Sequence, residues 1–416
     1  MSKQDLQTLK GFRDFLPSKM VVRNEAIRRL RIVFEKYGFE ELITPAIESQ
    51  GVLLGKYGEE AEKLMYLFED QGKRKVGLRY DLTVPLARVA ATYPDLPRPF
   101  KRYQIQPVWR AENTQKGRYR EFYQCDIDTI GSTSPLADAE ILAVIYESLG
   151  ALGFPSFVIK INSRQVLFEN LKKAGVKESM WLTTLSSIDK LDKKTKEEVE
   201  KELEKKGLMK DEIEKVFANF EKAVPDAFLA SVMEYANQMG VKDTILKFDP
   251  YLSRGLDYYT GPIFESVVTE PKIGSLTGGG RYDKLLKTLG GPDLPATGTT
   301  IGLDRVCDVV EELDLWKDMK KTTTSVLVTV FSKELLSKSL EIATVLRQSG
   351  VNTEVYPEEN TKLEKQLKYA DKKNVSWVVI IGPNEIEENK VVLKNMSDNT
   401  QEILATDEVI KKLEKL

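Results

Sequence analysis

The apolar positions of this chain change their period several times, and each change marks an element. From Val21 to Tyr37 they recur at helical spacing (Val22, Ile27, Leu30, Ile32, Val33, Phe34), and Gly38 supplies a stop. GFEELITPAIES then reads as one strand carrying Pro45, which cannot donate to a ladder and so belongs at an edge or bulge. Tyr103, Ile105 and Val108 lead into a strand, Gly117 with Asn113, Thr114 and Gln115 marks a turn, and a second strand follows. Residues 163 to 235 abandon alternation for helical spacing, with apolar Leu191, Val199, Leu203, Leu208, Ile213, Val216 and Phe217. The earlier frame resumes near Thr244 and ends in a helix after Arg305. Beyond a polar, lysine-rich stretch, KDMKKTTT at 317–324, the segments SVLVTVF, VNTEVYP, SWVVIIGP and KVVLKNM read as strands. Segments 333–349, 360–374 and 405–416 read as helices, which makes a compact α/β unit of about 90 residues. The apolar run Trp377 to Ile381 predicts strands covered on both faces.

Composition narrows the class. A chain of 416 residues, 41% hydrophobic, buries large cores and should divide into two or three domains. Its net charge is −2, so binding to nucleic acid would have to come from local basic patches rather than a global field. The two cysteines, Cys125 and Cys307, lack metal-type spacing and are expected as reduced thiols of a cytoplasmic protein. No apolar signal core opens the sequence and no apolar run reaches about 18 residues, which argues against secretion or a membrane span. The chain has no histidine, which removes the usual base near neutral pH and the commonest metal ligand. Cys125 therefore lacks the partner that would activate it as a nucleophile. No metal site is expected from the residues themselves, and no GxxxxGK phosphate loop occurs.

The chemistry concentrates in WRAENTQKGRYREFYQCDID, residues 109–128. Arg110, Arg118 and Arg120 alternate there with Glu112, Glu121, Gln124 and Asp128 on a hairpin frame. Guanidinium groups suit phosphate because they are planar, forked and donate two parallel hydrogen bonds. A salt-bridged surface hairpin would read the same way in isolation. Two further clusters weigh against that: RGLDYYTGPIFE at 254–265 and GGGRYDKLL at 278–286.

Together with LKGFRDFLP at 9–17, LRYDLTVPLAR at 78–88 and TGTTIGLDR at 297–305, these segments resemble the histidyl-tRNA synthetases, a branch of the class II aminoacyl-tRNA synthetases. RGLDYYTG and GGGRYD mark the histidine branch; the Arg110 segment and the GlyLeuAspArg ending at Arg305 are class-wide. The resemblance implies an α/β fold in which an antiparallel class II sheet is flanked by helices and carries a helical insertion and a C-terminal α/β anticodon-binding domain. The expected boundaries are 1–162 and 236–316 for the two parts of the catalytic domain, 163–235 for the insertion, 317–324 for a linker and 325–416 for the last domain. It further implies a homodimer formed through the first helix and the Pro45 strand, an ordinary edge strand being the alternative.

The implied activity joins histidine to ATP as histidyl-adenylate and transfers it to the 3′ end of tRNA(His), with Mg²⁺ accompanying ATP. The first step needs no base, because the attacking carboxylate is already an anion; positioned cations suffice. By resemblance Arg254 and Arg110 act on the α-phosphate, and Arg305 holds the γ-phosphate. Glu112 and Arg118 position adenine and phosphates. Asp81, Thr83 and Gln124 hold the α-ammonium of histidine, Asp128 and Tyr259 recognise its ring, and Tyr258 with Gly278 to Gly280 walls the pocket. Gln115 and Lys116 face the tRNA acceptor end. The proton acceptor of the transfer step is a phosphate oxygen of the adenylate or, second, Glu112. The run KLDKKTKEEVEKELEKK reads as a solvated helix face or, by resemblance, as an approach to the acceptor stem. Lys362, Lys365, Lys368, Lys372 and Lys373 offer the last domain a basic surface. The competing class is a non-catalytic, histidine-binding regulatory subunit of synthetase-like sequence, which tends to lose the catalytic arginines and the last domain.

Overall fold

The computed structural model describes residues 6–54, 63–114, 117–253, 258–271, 273–317 and 319–413. Contacts divide the chain into two units, one of residues up to Asp14 with Glu25–Trp316, the other of Phe15–Asn24 with residues from Lys317 onward.

The first unit is organised on one large sheet. Helix α1 (Pro17–Lys36), which belongs to this unit from Glu25 onward, begins with proline at its first position, where the missing N–H costs nothing, and ends at Gly38, whose φ of +76° suits glycine. The predicted strand through Pro45 is instead two short strands, β1 (Glu40–Glu41) and β2 (Ile47–Ser49), in different sheets. Pro45 lies between them, where no ladder needs its N–H. A short α2 (Gln50–Leu54) follows, and β3 (Leu67–Glu69) and β4 (Lys75–Leu78) complete a small antiparallel sheet in the order β2-β4-β3. Next come α3 (Thr83–Thr92), the long hairpin of β5 (Phe100–Trp109) and β6 (Glu121–Ile130), α4 (Pro135–Ala151) and β7 (Val158–Ser163).

Four helices then form a packed group, α5 (Arg164–Lys173), α6 (Trp181–Ile188), α7 (Lys196–Lys205) and α8 (Lys210–Glu221), while the next, α9 (Ala227–Gln238), packs against α4. Val199, Leu203, Ile213, Val216 and Phe217 meet Leu167 and Leu171 in one buried core, as helical spacing requires. The charged positions of α7 stay outside, and Glu202 is ringed by Lys190, Lys194 and Lys206.

The chain returns through β8 (Leu246–Phe248), β9 (Pro262–Val267), β10 (Ser275–Arg281), a single turn α10 (Leu285–Thr288) and β11 (Ala296–Gly302). Helix α11 (Leu303–Glu312) starts directly behind β11, so Arg305 lies in its first turn and not ahead of it as the sequence pattern suggested. Among the described residues the main sheet has eight strands in the order β1-β5-β6-β11-β10-β9-β7-β8, antiparallel except at its two outer pairs. Arg281 on β10 is buried and donates from Nε to Asp138 of α4 at 3.0 Å, tying the central strands to the helix behind them.

The second unit holds a five-stranded sheet. Its strands β12 (Val326–Val328), β13 (Thr353–Val355), β14 (Trp377–Ile380), β15 (Val391–Asn395) and β16 (Gln401–Leu404) lie in the order β13-β12-β14-β15-β16. Successive residues of β12 enter opposite cores, Val326 and Val328 one and Leu327 the other, so both faces are covered. The helices span Leu336–Gln348, Leu363–Lys372 and Thr406–Leu413. The last strand and a short helix at Pro383–Glu387 have no counterpart in the sequence reading; Gln401 to Leu404 is polar at two positions of four and shows no alternation worth a strand. Among the described residues no helix is long and apolar enough to cross a membrane.

Candidate active site

Strand residues two apart share a face, and the hairpin uses this to build a polar surface inside an otherwise apolar sheet. On β6, Cys125 and Ile127 point into the buried core, while Gln124, Asp126 and Asp128 point the other way. The register carries the pattern across the sheet. Asp128 lies opposite Arg102 on β5 and Gly298 on β11, and Asp126 opposite Gln104 and Thr300. Gly298 in turn pairs with Gly280 on β10. These glycines make room: a Cβ on Gly298 would lie 2.0 Å from Asp128 Oδ1, and one on Gly280 would lie 2.9 Å from the Tyr259 ring.

A cleft of about 400 Å³ opens over this surface, lined by Asp81, Thr83, Arg110, Glu112, Arg118, Gln124, Asp128, Tyr258, Tyr259 and Arg305. The structure thus brings together ten residues that sequence reasoning placed far apart along the chain. Arg254, Gln115 and Lys116 lie outside the described residues.

The cations gather at the hairpin's open end. Arg110 donates from Nε to the Tyr80 carbonyl at 3.2 Å, and its guanidinium lies 4.3 Å from the Tyr80 ring centroid and 5.1 Å from that of Phe122. The aromatic faces hold the fork flat while leaving edges to donate. Arg305 donates to the carbonyls of Gly117 and Ser275 at 3.3 and 2.6 Å, which fixes it beside the same end. Glu112 accepts the Tyr80 hydroxyl at 3.1 Å, and Arg118 is exposed at the rim.

Acidic groups occupy the deep end. Asp81 accepts the Val84 N–H at 3.0 Å and so holds the head of α3. Gln124 donates to the Thr300 hydroxyl at 3.2 Å, and its buried Oε1 has no hydrogen-bond partner among the described residues. Asp128 Oδ1 accepts the Tyr282 hydroxyl, and Arg102 Nη2 lies 2.7 Å from its Oδ2 at an angle too poor for a hydrogen bond. Burial pushes both carboxyls up, with Arg102 opposing. Asp126 reaches about 7, since Asp128 and Asp81 add repulsion that outlasts the help of Thr300. Burial also raises the Tyr259 and Tyr282 hydroxyls, so both remain protonated donors. The Tyr258 ring packs on Tyr259 and meets Tyr282 edge-on, centroids 4.7 and 5.8 Å away.

A cleft with guanidinium groups at one end and buried acceptors at the other suits a ligand pair that is anionic on one side and rich in N–H donors on the other. Comparison with known proteins gives the family. Residues 11–306 match the family profile described as Histidyl-tRNA synthetase, and residues 325–416 match one described as Anticodon binding domain. The chain belongs to the histidyl-tRNA synthetase family. It is 41% identical to a Histidine--tRNA ligase of Gloeobacter violaceus over 96% of both chains. Against that of Aeropyrum pernix it is 40% identical, over 98% of this chain and 97% of the other. The crystal structure of histidyl-tRNA synthetase from Nostoc sp. PCC 7120 superposes with a TM-score of 0.86 at 31% identity, covering 99% of each chain. An ATP phosphoribosyltransferase regulatory subunit/histidyl-tRNA synthetase from Bacillus halodurans shares the fold at a TM-score of 0.73 and 20% identity, over 90% of this chain and 98% of that one.

Within this synthetase fold, three residues of the cleft's deep end escaped sequence reasoning: Arg102, Asp126 and Tyr282. Asp126 was legible in principle, since it stands at the alternate position between Gln124 and Asp128. Tyr282 sits inside the GGGRYD motif without a role of its own. Arg102, 26 residues before Asp128, carries no local cue. Among the described residues no cluster of three or more carboxylates or cysteines could cage a metal ion. Both thiols, Cys125 and Cys307, are buried and not joined in a disulfide.

Proposed function

We propose that this chain activates histidine with ATP to histidyl-adenylate and transfers it to the 3′ end of tRNA(His). The observation that carries the reading is the polarity of the cleft, with Arg110 and Arg305 at one end and Asp81, Gln124 and Asp128 at the other. Arg110 grips the α-phosphate, with its donors fixed in advance by Tyr80 and Phe122, and Arg305 holds the γ-phosphate end of a bent ATP. Preorganised cations of this kind stabilise the charge that grows as carboxylate attacks phosphorus, and no base takes part. Arg254 completes the charge at the reacting carboxylate, Glu112 and Arg118 position adenine and phosphates, and Gln115 and Lys116 meet the acceptor end. Bound together with ATP, Mg²⁺ would supply further charge neutralisation at the phosphates beside Arg110 and Arg305.

Asp81, Thr83 and Gln124 take the α-ammonium, and Asp128, Tyr258 and Tyr259 form the ring pocket. A wrong amino acid would leave these buried acceptors unpaired, which discriminates strongly without an editing domain. In the second step a phosphate oxygen of the adenylate takes the ribose proton, Glu112 being the second candidate. Residues 163–235 serve as a helical insertion near the acceptor stem, and residues 325–416 read the anticodon. On the Lys-rich helix, Lys365, Lys368 and Lys373 pair with Glu358, Glu364 and Glu354, so its basic surface is narrower than the sequence promised. The protein works as a cytoplasmic homodimer; Ile43 and Ile47, 69% and 49% exposed on either side of Pro45, offer apolar surface for it.

The test is ATP–pyrophosphate exchange by the purified protein with each amino acid in turn. Exchange with histidine alone is expected. Folded protein that binds histidine yet exchanges with none would transfer the reading to a regulatory subunit, as the Bacillus halodurans likeness would then imply.

A further inference from the structure

The segment LKGFRDFLP at 9–17 helps to carry the resemblance, yet the reaction proposed above gives it no role. In the fold, Gly11 to Arg13 rest against the open end of the β5–β6 hairpin. The Gly11 carbonyl accepts the Arg120 N–H at 2.9 Å, and the Phe12 ring meets the Tyr66 ring edge-on, centroids 6.2 Å apart. Arg13 then reaches the wall of the cleft in two directions. Its guanidinium lies 3.1 Å from the centroid of the Tyr119 ring, and its Nη2 donates to Asp304 Oδ1. Tyr119 and Asp304 line the cleft, whereas Arg13 does not.

Both contacts bear on Arg305, whose guanidinium is seated on the carbonyls of Gly117 and Ser275. Tyr119 follows Gly117 by two residues, and Asp304 immediately precedes Arg305 in the first turn of α11. The other oxygen of Asp304, Oδ2, accepts the Tyr123 N–H at 3.0 Å, so one carboxylate joins α11 to β6. Arg13 thus holds both the neighbour of Arg305 and the stretch of chain that offers it a carbonyl. Asp304 is 5% exposed, and a carboxylate so far from water is held in place only while its cation stays. Arginine suits the position because its flat face covers a ring while its edge still donates; lysine could supply the ion pair but not the fork. We infer that Arg13 is a positioning residue for ATP, which through Tyr119 and Asp304 sets the place of the Arg305 guanidinium and with it the hold on the γ-phosphate. The inference deepens the ATP-activating reading above and rests on it.

The experiment is calorimetric titration of the full chain with ATP and, separately, with AMP, which keeps the adenosine and the α-phosphate and lacks the γ-phosphate. Wild type is compared with Arg13→Met, which removes the charge and the fork, and with Arg13→Lys, which keeps a cation for Asp304. The expected result for Arg13→Met is a loss of about 5- to 20-fold in affinity for ATP, part of what a hydrogen bond to a charged acceptor contributes. Affinity for AMP should stay within about 2-fold of wild type, because the α-phosphate end is untouched. Arg13→Lys should recover part of the ATP affinity. A residue that only stabilised the fold would move the two nucleotides together. Equal losses for ATP and AMP would therefore overturn the proposal, as would unchanged ATP affinity in a folded variant. Should Arg13→Met fail to fold, Arg13→Lys decides by the same comparison, with an ATP loss of at least about 2-fold and AMP unaltered as the expected result. Because calorimetry needs no turnover, a wild-type protein that binds ATP but exchanges with no amino acid would sink the catalytic reading and leave this one to the same titrations. A wild-type protein that binds no ATP would overturn both.

Discussion

Replacing Arg102 by methionine tests the electrostatics of the cleft most directly, because it removes the cation paired with Asp128 at nearly constant side-chain volume. Arg102 is fully buried and 2.7 Å from Asp128, and both Asp126 and Asp128 feel its charge. Removing one partner of a buried pair costs about 3–5 kcal/mol, since the charge left behind remains desolvated. Part of that cost is recoverable by protonation, so the loss must depend on pH. Both carboxyls already titrate above their ordinary value, and without Arg102 they rise further. A raised folded value means that the folded state holds protons which the unfolded chain has released, so stability falls as pH climbs from the unfolded value of about 4 through the folded one. The variant's deficit is therefore smallest on the acid side and largest above neutrality. Urea unfolding of the full chain, followed by tryptophan fluorescence at about pH 5.5 and about pH 8, reads both quantities. A deficit below about 1 kcal/mol, or one equal at the two pH values, would refute the argument.

Gly298→Ala places a Cβ 2.0 Å from Asp128 Oδ1 and 2.5 Å from the Ile127 carbonyl, so it should destabilise by about 1–3 kcal/mol and raise the KM for histidine with that for ATP unchanged. Unaltered histidine kinetics would show that Asp128 can retreat without consequence. Arg110→Lys keeps the charge but loses the planar fork stacked on Tyr80 and Phe122, and kcat/KM for ATP in the exchange assay should fall about 10- to 100-fold. A fall under about 2-fold would mean that charge alone suffices there. Lys362 and Lys372 are exposed on the Lys-rich helix, and no ion pair is seen for either among the described residues. Reversing both to glutamate should raise the KM for tRNA and flatten the salt dependence of tRNA binding by about two units of log–log slope, with exchange unaffected. An unchanged slope would remove that helix from the RNA surface.

Local pattern alone carried much of this protein. The helical spacing of Leu203, Ile213, Val216 and Phe217 set the core of the helical group, because a helix can bury only the stripe its period lines up. Alternation along the hairpin and the doubly covered strands of the second unit were legible for the same reason. The membership of the cleft came instead from the resemblance, since the family's motifs point to Asp81, Arg110, Tyr259 and Arg305 before any contact is known. Three decisions belonged to tertiary structure. The split of the Pro45 segment into two sheets depends on which neighbours compete for its backbone, not on its own apolar positions. The pairing of Arg102 with Asp128 comes from the register between β5 and β6, and a shift of one residue would turn Arg102 to the other face. The surroundings of the two acids follow from the same registers: Asp128 stands opposite Arg102 and Gly298, Asp126 opposite Gln104 and Thr300. Charge and desolvation act across space, so neighbours that only folding brings together determine them.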